Sequence, residues 1–335
     1  MCANHSGDSC QGRVLTGHRT TGPRHLGHLV GTLDTWKDLQ NSYQCFFLLA
    51  DLHVLTTDYE HPMRIQTNIQ DVLIDWLAAG IDPNRSVIVL QSSIYEHAQL
   101  EVLLSMLVTV ARLSRVPTYK EQQQQLGIKP SLGLLAYPVL QAADILLYKA
   151  DTVPVGEDQL PHLELTREVA RRFNQLYGET FPEPRAILSS MPRLPGIDNR
   201  AMHTSYGNTI ALKDTPEDTT RKVMGMYTDP ARIHATDPGR VKGNPVFVYL
   251  DLFEPNEHIV EDFKHRYQAG RVGDVEVKRH LARVLNEYLA PLRQHREEWA
   301  SRKADLVDIL SWGSKQAQPV AQVTLKEVHQ RMGLR

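Results

Sequence analysis

The chain has 335 residues, 41% hydrophobic and 23% charged, a balance that excludes a disordered, collagen-like or fibrous polymer and leads to the expectation of two domains around separate cores. No uninterrupted apolar run reaches the ~18 residues of a membrane span, and Met1 to Asp8 offer neither a basic start nor an apolar core, so neither membrane insertion nor export is expected. The net charge of -2 is segregated: residues 221–335 carry 19 Lys and Arg against 15 Asp and Glu, net +4, and those before them 18 against 24, net -6, which suits a nucleic-acid-binding appendage or a solvated helical surface.

Residues 1–12 read as a flexible segment. Short apolar strands are expected at 13–15, 45–50 and 86–90, separated by helix-patterned stretches. In one of these, Met63, Ile65, Ile69, Val72, Leu73, Trp76 and Leu77 recur at helical spacing until Gly80 stops the run. This βαβαβ order predicts an α/β fold with parallel strands, and a ligand site outside their carboxyl ends. A long amphipathic helix over 98–113 precedes a polar connection with a glutamine run, Gln122 to Gln125. Helices over 134–148 and 159–177 flank a strand at Thr152–Val155. Pro182, Pro184, Pro192, Pro195 and Gly196 then mark irregular chain around a loop, 198–208. The last third is helical: Val277, Leu281, Val284, Tyr288 and Leu292 share a face, with Lys278, Arg279, Arg283 and Arg293 largely on others. Three widely spaced cysteines, Cys2, Cys10 and Cys45, read as reduced thiols of a cytoplasmic protein.

The densest cluster of chemistry follows the first strand: Thr16-Gly17-His18-Arg19-Thr20-Thr21-Gly22-Pro23-Arg24-His25-Leu26-Gly27-His28. Glycines and a proline make a turn, and two imidazoles three positions apart open a helix whose free amides favour anions, so the cluster resembles a phosphate site. It is neither a P-loop nor a Gly-x-Gly-x-x-Gly fingerprint, and a metal reading lacks a third ligand.

His25-Leu26-Gly27-His28 resembles the four-residue histidine signature of class I aminoacyl-tRNA synthetases. The blocks Tyr137 to Tyr148, Val153 to Gln159 and His162 to Arg167, in order and spacing, resemble the tryptophanyl-tRNA synthetase family, and the similarity runs from Arg13 nearly to the end. The resemblance implies a Rossmann-like parallel-sheet catalytic domain over 13–212, including the second-signature loop 198–208, and a mainly helical anticodon-binding domain over 213–335. It implies ATP contacts at Arg19, Thr20, Thr21, Gly27, His28, Gly156, Glu157, Asp158, Met191 and Met202, with His25 and His28 as catalytic donors toward the α-phosphate and Mg²⁺ arriving with ATP; no protein-held metal is expected. Tryptophan contacts fall on His53, Tyr137, Gln141, Asp144, Val153, Val155 and Gln159. An acceptor such as Asp144 in an apolar pocket suits an indole N–H, although a tyrosine hydroxyl could use it too. Gln141, where the commoner bacterial form has methionine, resembles the divergent auxiliary branch. Arg279 and Arg283 are the tRNA contacts, and a homodimer is implied.

The second signature, Lys-Met-Ser-Lys-Ser, is replaced by Ala201-Met202-His203-Thr204-Ser205. In the family its lysines bind the leaving pyrophosphate, a charge effect of the transition state; losing one such donor typically costs ~2.7–4 kcal/mol, or ~10²–10³ in rate. Arg200, His203 and Ser205 are the candidate catalytic residues left there, with Arg200 supplying a positive charge from a shifted position and His203 only when protonated. Three functions follow from the resemblance. The chain activates tryptophan with ATP and transfers it to tRNA(Trp), or it is a paralogue that binds tryptophan and ATP as a sensor, or it passes the acyl group to another acceptor. The complete histidine signature and the intact helical region favour the first.

Overall fold

The computed structural model describes residues 10–117, 119, 130–188, 194–202 and 204–334. The glutamine run, Met191 and His203 lie outside the described residues. Contacts divide the chain into two units: residues 10–22, 32–188 and 302–334 form the first, residues 23–31 and 194–301 the second.

The first unit is a five-stranded sheet, β1 (Arg13–Arg19), β2 (Gln44–Ala50), β3 (Val87–Leu90), β4 (Thr152–Val155) and β5 (Arg185–Leu188), in the order β3-β2-β1-β4-β5. All four pairings are parallel, as the βαβ order requires. After β1 the chain enters α1 (Leu26–His28), a one-turn π-helical segment (Leu29–Leu33) and α2 (Asp34–Leu39). Of these α1 belongs to the second unit; with α2, the helices of the first unit before the carboxyl terminus are α3 (Leu52–Asp58), α4 (Pro62–Ala78), α5 (Glu96–Ser105), α6 (Val110–Leu113), α7 (Leu132–Leu147) and α8 (Leu160–Tyr177). Successive side chains of β2 enter opposite layers, as a pleated strand dictates. Phe46 stacks on Tyr148 at 4.7 Å, and Phe47 on Trp36 at 5.1 Å, with Trp76 edge-on to Trp36.

Two expectations need correction here. The helix over 98–113 is broken: α5 ends at Ser105, and the Thr109 hydroxyl accepts from the Arg112 amide to start α6 afresh. The segment after Pro182 is not wholly irregular, because β5 pairs with β4 there. As a four-residue edge strand with exposed ends it carries only a three-residue apolar run, Ala186 to Leu188, close behind Pro182 and Pro184, too short to mark a strand.

The second unit holds α9 (Pro216–Met224), α10 (Pro245–Phe253), α11 (Glu257–Gln268) and α12 (Asp274–Ser301). Lys278 and Arg293, expected on solvated faces of α12, are turned inward. Lys278 is buried and donates to the carbonyls of Met224 and Met226 and to the Thr228 hydroxyl, and Arg293 donates to the Asp214 carbonyl and the Thr219 hydroxyl. Carbonyls at the end of α9 supply the acceptors that a buried ammonium needs. The basic excess of this region is therefore only partly surface charge.

The last helix, α13 (Lys303–Met332), belongs with the sheet and not with the helical unit, so the unit boundary does not follow the expected break at 212/213. It lies against β3 so closely that a Cβ built on Gly313 would fall 1.8 Å from the Ile88 carbonyl oxygen. Gly313→Ala is expected to lower unfolding stability by ~1–3 kcal/mol, because the obstacle is backbone that cannot rotate away. A denaturant midpoint equal to that of the parent would contradict this packing. Cys45, as expected of a reduced thiol, is free and buried.

Candidate functional site

Every strand of the sheet but the edge strand β5 delivers polar side chains at its carboxyl end, the place where a parallel sheet opens to ligands. Arg19 ends β1 and donates to the Thr57 hydroxyl, while Thr20 is fully buried and Thr21 exposed. Asp51 and His53 follow β2, Gln91 follows β3, and Gly156 to Gln159 follow β4. Asp51 Oδ1 accepts from the amides of Leu52 and Ser92, tying the loops after β2 and β3 together.

Asp144 is the centre of this unit's polar interior. It lies on α7, on the face that also carries Tyr137 and Gln141 at helical spacing and runs on to Tyr148 at the helix cap, and it is 3% exposed. Its Oδ2 receives His53 Nε2 at 2.9 Å, its Oδ1 receives His97 Nδ1 at 2.7 Å, and Gln91 Nε2 reaches both oxygens at 2.8 and 2.9 Å. Burial alone would raise its pKa, but the hydrogen bonds from His53 and His97 outweigh that and hold it at about 2. Three donors thus fill about four acceptor sites. His53 and Asp144 were legible in the sequence; Gln91 and His97 were missed. Their signal was position: Gln91 is the first residue past β3, and His97 stands in the first turn of α5, one residue before the apolar pattern read as helix.

Around this core, Val153 is buried and Val155 half-buried on β4, and Gln141 is half-buried. The Tyr137 hydroxyl lies 3.4 Å from His162 Nε2, and burial pushes the His162 imidazole down to about 4, so it is neutral near pH 7. Gln159 donates to Asp158 at 3.0 Å, and Glu157 and Asp158 are exposed. Among the described residues no group of three His, Cys, Asp or Glu side chains is arranged to hold a metal ion.

The second unit carries the two signatures. His25 opens α1 in an isolated antiparallel bridge with Ala211, and the Leu26 amide donates to the Ile210 carbonyl. The His25 and His28 rings sit 3.7 Å apart between centroids, and the His25 amide donates to His28 Nδ1 at 3.3 Å. The sequence spacing thus does bring both imidazoles to one place. Gly27 faces the second signature: a Cβ there would stand 3.1 Å from His25 Nδ1 and 3.3 Å from Met202 Sδ. Only a residue without a side chain keeps that gap open.

The second-signature loop is built on a tight turn. The Gly196 amide donates to the Arg200 carbonyl at 2.6 Å, and Asn199 takes a left-handed φ of 67°. Buried Asn208 clamps the loop by donating to Asp198 Oδ1 at 2.8 Å and to the Ala201 carbonyl at 3.0 Å. Arg200 is largely exposed, paired with Asp198 at 2.6 Å and stacked 5.0 Å above the Tyr206 ring. Burial pushes Asp198 up, yet the bonds from Asn208 and Arg200 prevail and hold it below the usual carboxylate range. The backbone of Ser205 is part of a short 3₁₀ turn, Thr204–Tyr206. Arg279 and Arg283 are exposed on α12, where Arg283 reaches Glu287 at 3.4 Å and His280 at 3.2 Å.

The family model described as tRNA synthetases class I (W and Y) matches residues 10–290. The tryptophan–tRNA ligase of Treponema pallidum is 50% identical over 326 residues, covering 96% of this chain and 97% of the relative, and that of Chlamydia caviae is 48% identical over 330 residues, covering 96% of each. A crystal structure of tryptophanyl-tRNA synthetase from Campylobacter jejuni, complexed with ADP and tryptophan, superimposes with a TM-score of 0.86 at 31% identity, covering 96% of this chain and 100% of that one. A histidine signature beside a second-signature loop, polar strand ends on a parallel sheet, and relatives matched over nearly their whole length lead to one conclusion: the chain belongs to the class I tRNA synthetases of the tryptophan and tyrosine family, and its relatives within it are tryptophan–tRNA ligases.

Proposed function

We propose that this chain activates L-tryptophan with ATP and transfers it to tRNA(Trp), in the cytoplasm. The observation that carries the choice of amino acid is the buried, ionised Asp144 on one helix face with Tyr137 and Gln141. In the first step a tryptophan carboxylate oxygen attacks the α-phosphorus of ATP, the bond to the bridging oxygen breaks, and pyrophosphate leaves. In the second a terminal ribose hydroxyl of tRNA attacks the acyl carbon and AMP leaves.

His25 and His28 are donors for the charge that gathers on the α-phosphate oxygens, and the bare backbone at Gly27 admits the adenosine beside Met202. Arg19, Thr20, Thr21, Gly156, Glu157, Asp158 and, outside the described residues, Met191 complete the ATP contacts in this reading. Mg²⁺ would arrive with the triphosphate and supply charge screening there, with no protein ligand required. His53, Tyr137, Gln141, Asp144, Val153, Val155 and Gln159 receive tryptophan. In this reading Arg200, Ser205 and, outside the described residues, His203 are the loop's groups for the leaving pyrophosphate. Tryptophan-dependent exchange of pyrophosphate into ATP tests the first step, and charging of tRNA(Trp) the second; an enzyme that exchanges with tyrosine better than with tryptophan would overturn the assignment.

A homodimer fits the apolar side chains exposed on neighbouring elements of the first unit, Tyr95, Val102 and Met106 around α5, Val110 on α6 and Leu132 on α7. No helix among the described residues is long and apolar enough to cross a membrane. For tRNA, the double change of Arg279 and Arg283 to alanine is expected to weaken binding and reduce the slope of log affinity against log salt by about one to two. Arg279 carries the larger share, because Arg283 already leans on Glu287. Filter binding across a salt series reads this, and an unchanged slope would remove α12 from the tRNA surface.

A further inference from the structure

His97 bridges two partners one turn apart, Asp144 on α7 and Tyr148 at its carboxyl-terminal cap. Its Nδ1 lies 2.7 Å from Asp144 Oδ1, and its Nε2 lies 2.9 Å from the Tyr148 hydroxyl. His97 and Tyr148 are fully buried, and the Tyr148 ring is pinned by its stack on Phe46. Gln91 is fixed from the other side: its Oε1 accepts from the Leu52 amide at 3.1 Å, which leaves its Nε2 for Asp144.

A neutral imidazole has one donor and one acceptor, and which nitrogen holds the proton is decided by its partners. An anionic carboxylate at Nδ1 demands a proton there. Tyr148, whose hydroxyl burial and the charges of Asp144 and Glu96 keep protonated, offers a donor to Nε2. Both partners therefore select the same tautomer. We propose that Tyr148 and His97 form a positioning relay for Asp144: the tyrosine O–H donates to His97 Nε2, the ring is held as its Nδ1–H tautomer, and that N–H fixes the carboxylate before the amino acid arrives. The proposal rests on the tryptophan-activating reading above and adds residues that do not touch the substrate. A prearranged acceptor lowers the ordering cost of binding, so the relay acts on tryptophan affinity and not on the phosphate chemistry.

The test uses the full chain and swaps one ring nitrogen at a time. The asparagine amide nitrogen in His97→Asn takes the place of Nδ1, whereas the glutamine nitrogen in His97→Gln takes that of Nε2. In the exchange assay, His97→Asn is expected to keep the tryptophan KM within about threefold of the parent. His97→Gln is expected to raise it about tenfold or more, with the ATP KM unchanged. Tyr148→Phe, nearly isosteric, should give an intermediate rise in tryptophan KM. Nitrogen-15 NMR of labelled histidine should show His97 as the Nδ1–H tautomer in the parent and a mixture in Tyr148→Phe. Equal KM values for the asparagine and glutamine variants, parallel losses for both substrates, or a parent His97 protonated on Nε2 or on both nitrogens would overturn the relay. A parent without any tryptophan-dependent exchange would instead overturn the function it rests on, and the NMR measurement would still decide the relay.

Discussion

Installing lysine at both Ala201 and Thr204 is expected to raise the rate of tryptophan-dependent pyrophosphate exchange by one to a few orders of magnitude, at ~10²–10³ for each transition-state donor. Both positions are exposed, so the longer side chains bury nothing and stability should move by less than ~0.5 kcal/mol. The backbone is already arranged for them, since Asn208 clamps the loop through the Ala201 carbonyl and through Asp198, and neither bond involves the replaced side chains. Arg200 is the native competitor for the role, but its guanidinium is paired with Asp198 at 2.6 Å and laid over Tyr206, so part of its charge is already answered. ATP affinity should change far less than rate, because pyrophosphate gains its extra charge only as the bond to the α-phosphorus breaks. Two controls give the result meaning. If Arg200→Ala in the parent lowers the rate as much as the lysines raise it, Arg200 is the working donor. If the double-lysine variant binds both substrates and gains nothing, the loop does not act on pyrophosphate.

The legible and illegible parts of this molecule divide along a physical line. Strands β1 to β4 and helices α4 and α8 were readable because each buries a continuous face, and the period of that face is local information. Strand β5 was not, since its apolar run, Ala186 to Leu188, is only three residues long and stands among prolines that mark irregular chain. The attachment of α13 to β3 was not either: it depends on one close approach, at Gly313, between segments more than two hundred residues apart. The same holds for charge. Lys278 and Arg293 looked like solvated residues because a helix surface and a carbonyl clamp present identical local sequence, and only the fold brings the carbonyls flanking α9, those of Met226 and Asp214, to them. At the site, the motifs pointed to the two histidines, to Met202 and to Asp144 with His53. Gln91 and His97 were invisible because a polar residue after a strand or at a helix start is ordinary, and its burial against a carboxylate is a tertiary fact.

Asp144→Ala is expected to remove discrimination between tryptophan and its indole-N-methylated analogue, and the structure sets the size of what is lost. A buried acceptor left wholly unpaired would reject the methylated ring by ~10⁴ or more. Asp144 is not in that position, for His53, His97 and Gln91 already donate to it, and an indole N–H must share or displace one of them. The preference in the parent should accordingly be nearer ~10–10², the worth of one exchanged hydrogen bond. The same three donors make the substitution costly to the fold. Without the carboxylate two imidazoles and an amide lose their acceptor in the core, and unfolding stability at pH 7 should fall by ~3–5 kcal/mol. The pH dependence follows from the sign of the shift. Because the folded-state pKa, about 2, lies below the ordinary carboxylate value, the stabilisation is fully present above pH ~4 and disappears as pH falls toward 2. The gap between parent and Asp144→Ala should narrow over that window by ~2–3 kcal/mol. Denaturant unfolding at pH 7, 4 and 2 measures the gap, and competition binding with the two indoles measures the preference. A gap that stays constant with pH would show that Asp144 is not the ionised centre of this network, and a parent that binds the methylated ring as tightly as tryptophan would separate Asp144 from indole recognition altogether.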